Sequence, residues 1–149
     1  MAAPLTLTDE QIAQYRADGY LVMPDLLTQG EVDAFLTHEE NPATQELRNG
    51  LRTHLTDSEW DYLARHPNVA GVASQLIEGQ PRIVQTMYLA KAPATEGKRR
   101  GGAGIALHQD THYLPTEPNS LMACWIALSD TDQENGGLCV VPGSHTTEL

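Results

Sequence analysis

Leu107-His108-Gln109-Asp110-Thr111-His112-Tyr113 is the one stretch of this 149-residue chain in which metal-ligating residue types crowd together. It lies in residues 105–113, whose pattern predicts a β-strand. Side chains alternate faces along a strand, so His108 and Asp110 are expected to project from one side. An imidazole nitrogen and a carboxylate oxygen two residues apart can then converge on one cation at ~2.1 Å each. With a further imidazole from elsewhere they would make the facial triad that leaves positions on ferrous iron open to oxygen and a co-substrate. His112 falls on the same face, but strand rise places it about 13 Å from His108. It is therefore expected beside the ion rather than on it. His145, directly after Pro142-Gly143-Ser144, reads as a turn residue.

The flanking residues also carry strand signals. Ile83, Gln85, Met87 and Leu89 alternate with Val84, Thr86, Tyr88 and Ala90, which predicts a strand from Pro81 to Lys91. Residues 92–104 predict a loop, with four glycines and the run Lys98-Arg99-Arg100. No helical pattern follows those glycines, so they lack the context of a phosphate-binding loop. Leu121 to Leu128 is continuously apolar and predicts a strand covered on both faces, inside a sandwich. Asp130 to Gly137 is a polar loop with an Asn135-Gly136 turn. Leu138 to Val141 predicts one more strand, closed by Pro142-Gly143.

The first 79 residues have a helical period instead. Thr8/Gln11, Thr28/Glu31 and Thr56/Glu59 each match a capping box, in which Thr accepts an early helix N–H and the amide or acid reaches back. The first helix is expected to end at about Asp18 with Gly19 as terminator, and Tyr20 to Met23 to form a short strand. A second helix over 29–39 should bury Val32, Phe35 and Leu36. A third, from about Asp57, should place Trp60, Leu63 and Ala64 on one face and end at Pro67. A fourth follows at once, with Val69, Val72, Ala73, Leu76 and Ile77 at helical spacing and Gly79 as its stop. His38, His54 and His66 fall in this half and read as surface residues.

Composition narrows the function classes. The formal charge is -11 and 40% of residues are apolar, which suits one globular domain. Residues 1–79 hold thirteen acids against four bases, a surface that repels phosphate backbones, so nucleic-acid binding is disfavoured. Cys124 and Cys139 sit in apolar runs and read as buried free thiols. No apolar run approaches the ~18 residues of a membrane helix, and a cytoplasmic location is expected.

Three motifs in order carry a family resemblance: His108-Gln109-Asp110; Cys124-Trp125-Ile126-Ala127-Leu128-Ser129-Asp130; and Asn135-Gly136-Gly137-Leu138 through Pro142-Gly143-Ser144-His145. Together with Leu7-Thr8 and Gly19-Tyr20 to Pro24 they resemble the phytanoyl-CoA dioxygenase family, from about residue 5 to the last residue. The resemblance implies an α+β fold in which N-terminal helices (1–79) pack on a double-stranded β-helix, a cupin-like jelly roll whose first strands occupy 80–149. It implies an iron(II)- and 2-oxoglutarate-dependent dioxygenase using O2, with His108 and Asp110 as metal ligands. The expected reaction is hydroxylation of an aliphatic carbon in a small molecule or an acyl-CoA-like substrate. Halogenating relatives lack the carboxylate, so the presence of Asp110 favours hydroxylation. Lys91 stands where members often carry a lysine near 2-oxoglutarate, and Trp125 is expected in the same pocket or in the core.

The resemblance also leads one to expect a third ligating histidine and a basic partner for 2-oxoglutarate beyond Leu149. By that reading the jelly roll is incomplete in this chain, apolar faces are uncovered, and the sequence is a fragment of a longer reading frame. An inactive fragment, a remnant that binds a metal or a partner, and a different cupin remain as alternatives at this point.

Overall fold

The computed structural model describes residues 5–42, 51–88, 106–133 and 135–147. The chain divides into two compact units, Met1–Ala13 with Val22–Tyr88, and Gln14–Leu21 with Leu89–Leu149.

The N-terminal half is helical for reasons that sit in its local sequence. Helix α1, Asp9–Asp18, begins at the expected capping box: Thr8 N donates to Gln11 Oε1 at 2.9 Å and Gln11 N donates to Thr8 Oγ1 at 3.2 Å. It ends at Gly19, whose φ of +80° is the left-handed conformation that suits glycine. Helix α2, Gln29–Glu40, opens on the complete Thr28/Glu31 box. Helix α3, Ser58–Ala64, and helix α4, Pro67–Leu76, follow. Leu7, Phe35, Trp60, Val69, Val72 and Ala73 are the buried apolar residues among those described. The Trp60 ring stands edge-on to Phe35 at 5.4 Å and to Tyr88 at 6.2 Å. Its indole N–H donates to Oε1 of the fully buried Glu39 at 2.6 Å. Gln75 ties the chain start to α4: its Oε1 accepts from Leu7 N at 2.8 Å and its Nε2 donates to Leu5 O at 2.9 Å.

Three expectations for this half are corrected. The cap of α3 is Asp57, not Thr56: Asp57 Oδ1 accepts from Glu59 N at 2.9 Å and Trp60 N at 3.2 Å. A carboxylate can take both amides while its second oxygen meets His38 Nε2 at 2.8 Å, which a hydroxyl could not do. Thr56 instead closes the 3-10 turn Thr53–Leu55. Helix α4 turns off at Glu78, which takes φ +53°, one residue before Gly79.

The histidines are the third correction. His54 and His66 are buried and His38 is half-buried. His54 Nδ1 lies 2.9 Å from Thr86 Oγ1. His66 Nδ1 accepts from Asn68 N at 3.3 Å, so its Nε2 is the donor to Glu31 Oε1 at 3.0 Å. Each imidazole has a polar partner inside, which removes the cost that keeps lone histidines at the surface.

Among the described residues, the strands expected after residue 80, and at Tyr20 to Met23, are not present as ladders. Among the described residues the sole β pairing is one antiparallel bridge, Leu51 to Met87. Residues 110–112, expected in a strand, form a 3-10 turn. Leu121 to Leu128 is not covered on both faces: Cys124 and Trp125 are exposed, as are Leu107, Leu138 and Val141. Cys139 is exposed too, so neither cysteine is the buried residue its apolar surroundings suggested, although the Cys124 thiol itself is partly shielded. Alternation says which side chains would share a face, but a strand also needs a neighbouring backbone for its N–H and C=O groups. The Asn135-Gly136 turn does form, with Asp132 N on Asn135 Oδ1 at 2.9 Å and Gly136 at φ +87°. The glycine loop at 92–104 and Lys91 lie outside the described residues.

Candidate metal centre

His108 and Asp110 come together, by a different route from strand alternation. Gln109 is extended (φ -108°, ψ 132°), and Asp110–His112 then winds into the 3-10 turn, with His112 N on Gln109 O at 3.1 Å and Tyr113 N on Asp110 O at 2.9 Å. This brings His108 Nε2 to 3.2 Å from Asp110 Oδ1, with both side chains open to solvent.

The proton on His108 can be placed from its other contact. Nδ1 lies 2.8 Å from Ala106 O, and a carbonyl only accepts, so Nδ1 carries the hydrogen. In the neutral ring Nε2 is then a lone pair, aimed at the lone pairs of a carboxylate. Two acceptors at this distance repel unless a positive centre, a proton on Nε2 or a metal ion, lies between them. The Nδ1–carbonyl bond is also the usual outer contact of a metal-binding imidazole, since it sets the ring's orientation and tautomer. Two adjacent ligands at right angles, each bonded at ~2.2 Å, stand about 3.1 Å apart. The donor set therefore fits a divalent ion of the harder kind, iron(II) included.

His112 does not complete a triad. The strand separation that set it apart no longer applies, because a turn replaces the strand. Even so, no three His, Cys, Asp or Glu residues converge among the described residues. The Tyr113 ring lies edge-on to both imidazoles, 5.7 Å from His108 and 5.1 Å from His112. His145 faces elsewhere: its Nε2 donates to Arg16 O at 3.1 Å. Gly143 N donates to Asp18 O at 2.7 Å, so the Pro-Gly-Ser-His turn satisfies carbonyls at the end of α1. A Cβ on Gly19 would stand 2.6 Å from Cγ of His145, and only a residue without one admits the ring.

Sequence reasoning missed Gln109. Its Nε2 donates to Ser144 O and to Thr147 O, both at 2.9 Å, joining the ligand loop to the turn some 35 residues on. Nothing in the local pattern signals this, since both acceptors are backbone atoms. Trp125 is 45% exposed. Cys124, although exposed as a residue, has its thiol shielded, and burial pushes the thiol pKa up. Burial likewise raises Tyr15, with the Cys124 charge adding to the effect.

The sequence profile of the phytanoyl-CoA dioxygenase (PhyH) family matches residues 15–149. Among curated proteins, a phytanoyl-CoA dioxygenase domain-containing protein 1 from Danio rerio is 26% identical, over 93% of this chain and 66% of its own length. Phytanoyl-CoA dioxygenase 1 from Oryza sativa subsp. japonica is 33% identical, over 67% of this chain and 34% of its own length. A phytanoyl-CoA dioxygenase domain-containing protein 1 from Bos taurus is 37% identical, over 65% of this chain and 32% of its own length. The chain thus matches about a third of the length of the last two and two-thirds of the first. No solved structure matches it.

Proposed function

Because the chain belongs to the phytanoyl-CoA dioxygenase family, we propose that it serves a non-haem iron(II)- and 2-oxoglutarate-dependent dioxygenase, with His108 and Asp110 as two of the iron ligands. The observation that carries this reading is the facing pair of His108 Nε2 and Asp110 Oδ1, 3.2 Å apart, with the imidazole's other nitrogen fixed on Ala106 O. Bound iron would supply the oxygen chemistry that amino-acid side chains cannot perform. The chain's own residues would bind and orient: His108 and Asp110 would hold the ion, and Tyr113 walls the imidazole edge. With iron bound, Asp110 would take the coordination position that a halide would need, which favours hydroxylation of an aliphatic carbon.

Lys91 is the proposed cation for a carboxylate of 2-oxoglutarate, and Trp125 a wall of the same pocket. The substrate class is a small molecule or an acyl-CoA-like thioester. The proposed fold for the residues after 80 is the first strands of a double-stranded β-helix. Support comes from the exposed apolar side chains Leu107, Trp125, Leu138 and Val141, which a facing sheet would remove from water. A cytoplasmic site of action suits the free thiols Cys124 and Cys139. No helix among the described residues is long and apolar enough to cross a membrane.

A non-catalytic chain that binds a metal or a partner is the second reading, favoured by the lack of a third converging ligand among the described residues. One experiment separates them. The protein from its natural reading frame is assayed for succinate formed from 2-oxoglutarate with Fe(II) and O2. The dioxygenase reading expects turnover that His108→Ala and Asp110→Ala each abolish; turnover unchanged in either variant sinks it. Metal binding that requires both residues, without succinate, supports the second reading.

A further inference from the structure

We propose that Gln109 is a positioning residue of the metal centre: its side-chain amide fastens the His108–Asp110 loop to the Ser144–Thr147 turn, so the two ligand atoms are held together before an ion arrives. The inference rests on the metal reading of His108 and Asp110. Both acceptors of Gln109 Nε2 are carbonyls, so the nitrogen of the amide must be the end that faces them, and its two hydrogens serve one bond each.

The clamp is needed because the pair has little packing of its own. His108 and Asp110 are 37% and 51% exposed, and their loop contains no ladder. The turn that receives the clamp is better fixed. Thr146 Oγ1 donates to Gly143 O at 2.9 Å and Thr147 Oγ1 to Ser144 O at 2.8 Å. Gly143 N and His145 Nε2 anchor the same turn to the carbonyls of Asp18 and Arg16. Gln109 also lies between the ligands in sequence, and its own carbonyl accepts the His112 N–H that opens the turn carrying Asp110. Releasing its side chain frees both ligand residues at once. An ion would then have to order the loop on binding and would bind more weakly.

The test uses the 149-residue chain, Co(II) as probe and the variants Gln109→Met and Gln109→Glu, which keep the side-chain length and remove the N–H donors. NMR of the His108 ring protons follows Co(II) binding, and amide exchange without metal follows loop order. Both variants should weaken Co(II) binding about tenfold or more, the usual scale for an outer contact of a metal site. They should also speed exchange at the His112 and Tyr113 amides at least several-fold, with Val72 and Ala73 unchanged. Co(II) affinity within twofold of the native chain overturns the proposal, as does unaltered exchange at His112 and Tyr113. Exchange that also rises at Val72 and Ala73, or outright unfolding, overturns it as well, because Gln109 would then be a general stability residue. A native chain whose His108 signals ignore Co(II) fails at the metal reading itself, and the exchange result then shows separately whether the clamp exists.

Discussion

Replacing Trp60 by Phe tests the packing of the helical unit at its most specific contact. The indole N–H is the donor, at 2.6 Å, to Oε1 of Glu39, the largest fully buried side chain among the described residues. Phenylalanine keeps an aromatic ring between Phe35 and Tyr88 but has no donor. Depriving a buried oxygen of its donor costs about 1–3 kcal/mol. Shrinking the ring loosens two edge-on aromatic contacts, each worth about 0.5–1.5 kcal/mol when intact. The expected loss is about 2–4 kcal/mol, a large part of the roughly 5–15 kcal/mol that holds a domain together. Urea unfolding followed by helical circular dichroism reads this directly, because Trp60 is not the probe. Repeating the substitution in a Glu39→Met background isolates the hydrogen bond, which is already absent there. The cost of Trp60→Phe should fall by about 1–3 kcal/mol in that background. A loss below about 0.5 kcal/mol in the native background, or the same loss in both backgrounds, would refute the reasoning.

Acid should weaken the α2 region through Glu31, whose pKa falls from 4.5 to about 2. The chief cause is the Thr28 backbone N–H, followed by the Thr28 hydroxyl, Tyr62 and His66. A carboxylate depressed in the fold stabilises above pH 4.5 and loses that contribution as pH falls toward 2; a Glu31→Gln variant should lack this part of the acid slope, and an identical slope would count against it. Gly19→Ala should lower the melting temperature, because the residue needs φ +80° and a Cβ would meet the His145 ring. The expected cost is at least about 1 kcal/mol, and an unshifted melt would show that the ring moves aside freely. Lys91→Ala should raise the 2-oxoglutarate concentration needed for half-maximal turnover of the protein from its natural reading frame, with little change at saturation. An unaltered requirement would refute the assignment of Lys91 to the co-substrate.

Much of the helical unit was legible because its signals are short-range. Thr8 with Gln11 and Thr28 with Glu31 lie three residues apart, and the bonds they form are the ones their spacing implies. Val69, Val72 and Ala73 are buried on one side of α4, as their period requires. The shift of the α3 cap from Thr56 to Asp57 was not legible. It is bound up with His38, which lies 19 residues away on another helix. The same holds for His54 and His66, whose partners Thr86 and Glu31 are 32 and 35 residues distant.

At the candidate centre, the His-x-Asp spacing together with the flanking family motifs singled out His108 and Asp110 as the expected ligands. The tertiary structure decided how the pair meets: through a 3-10 turn rather than a strand, with the imidazole set by Ala106 O and the loop fastened by Gln109. Capping and periodicity act within about one helical turn, so contiguous residues encode them. Strand pairing and the Gln109 clamp need backbone atoms brought in from distant segments, and no local pattern specifies where those atoms will be.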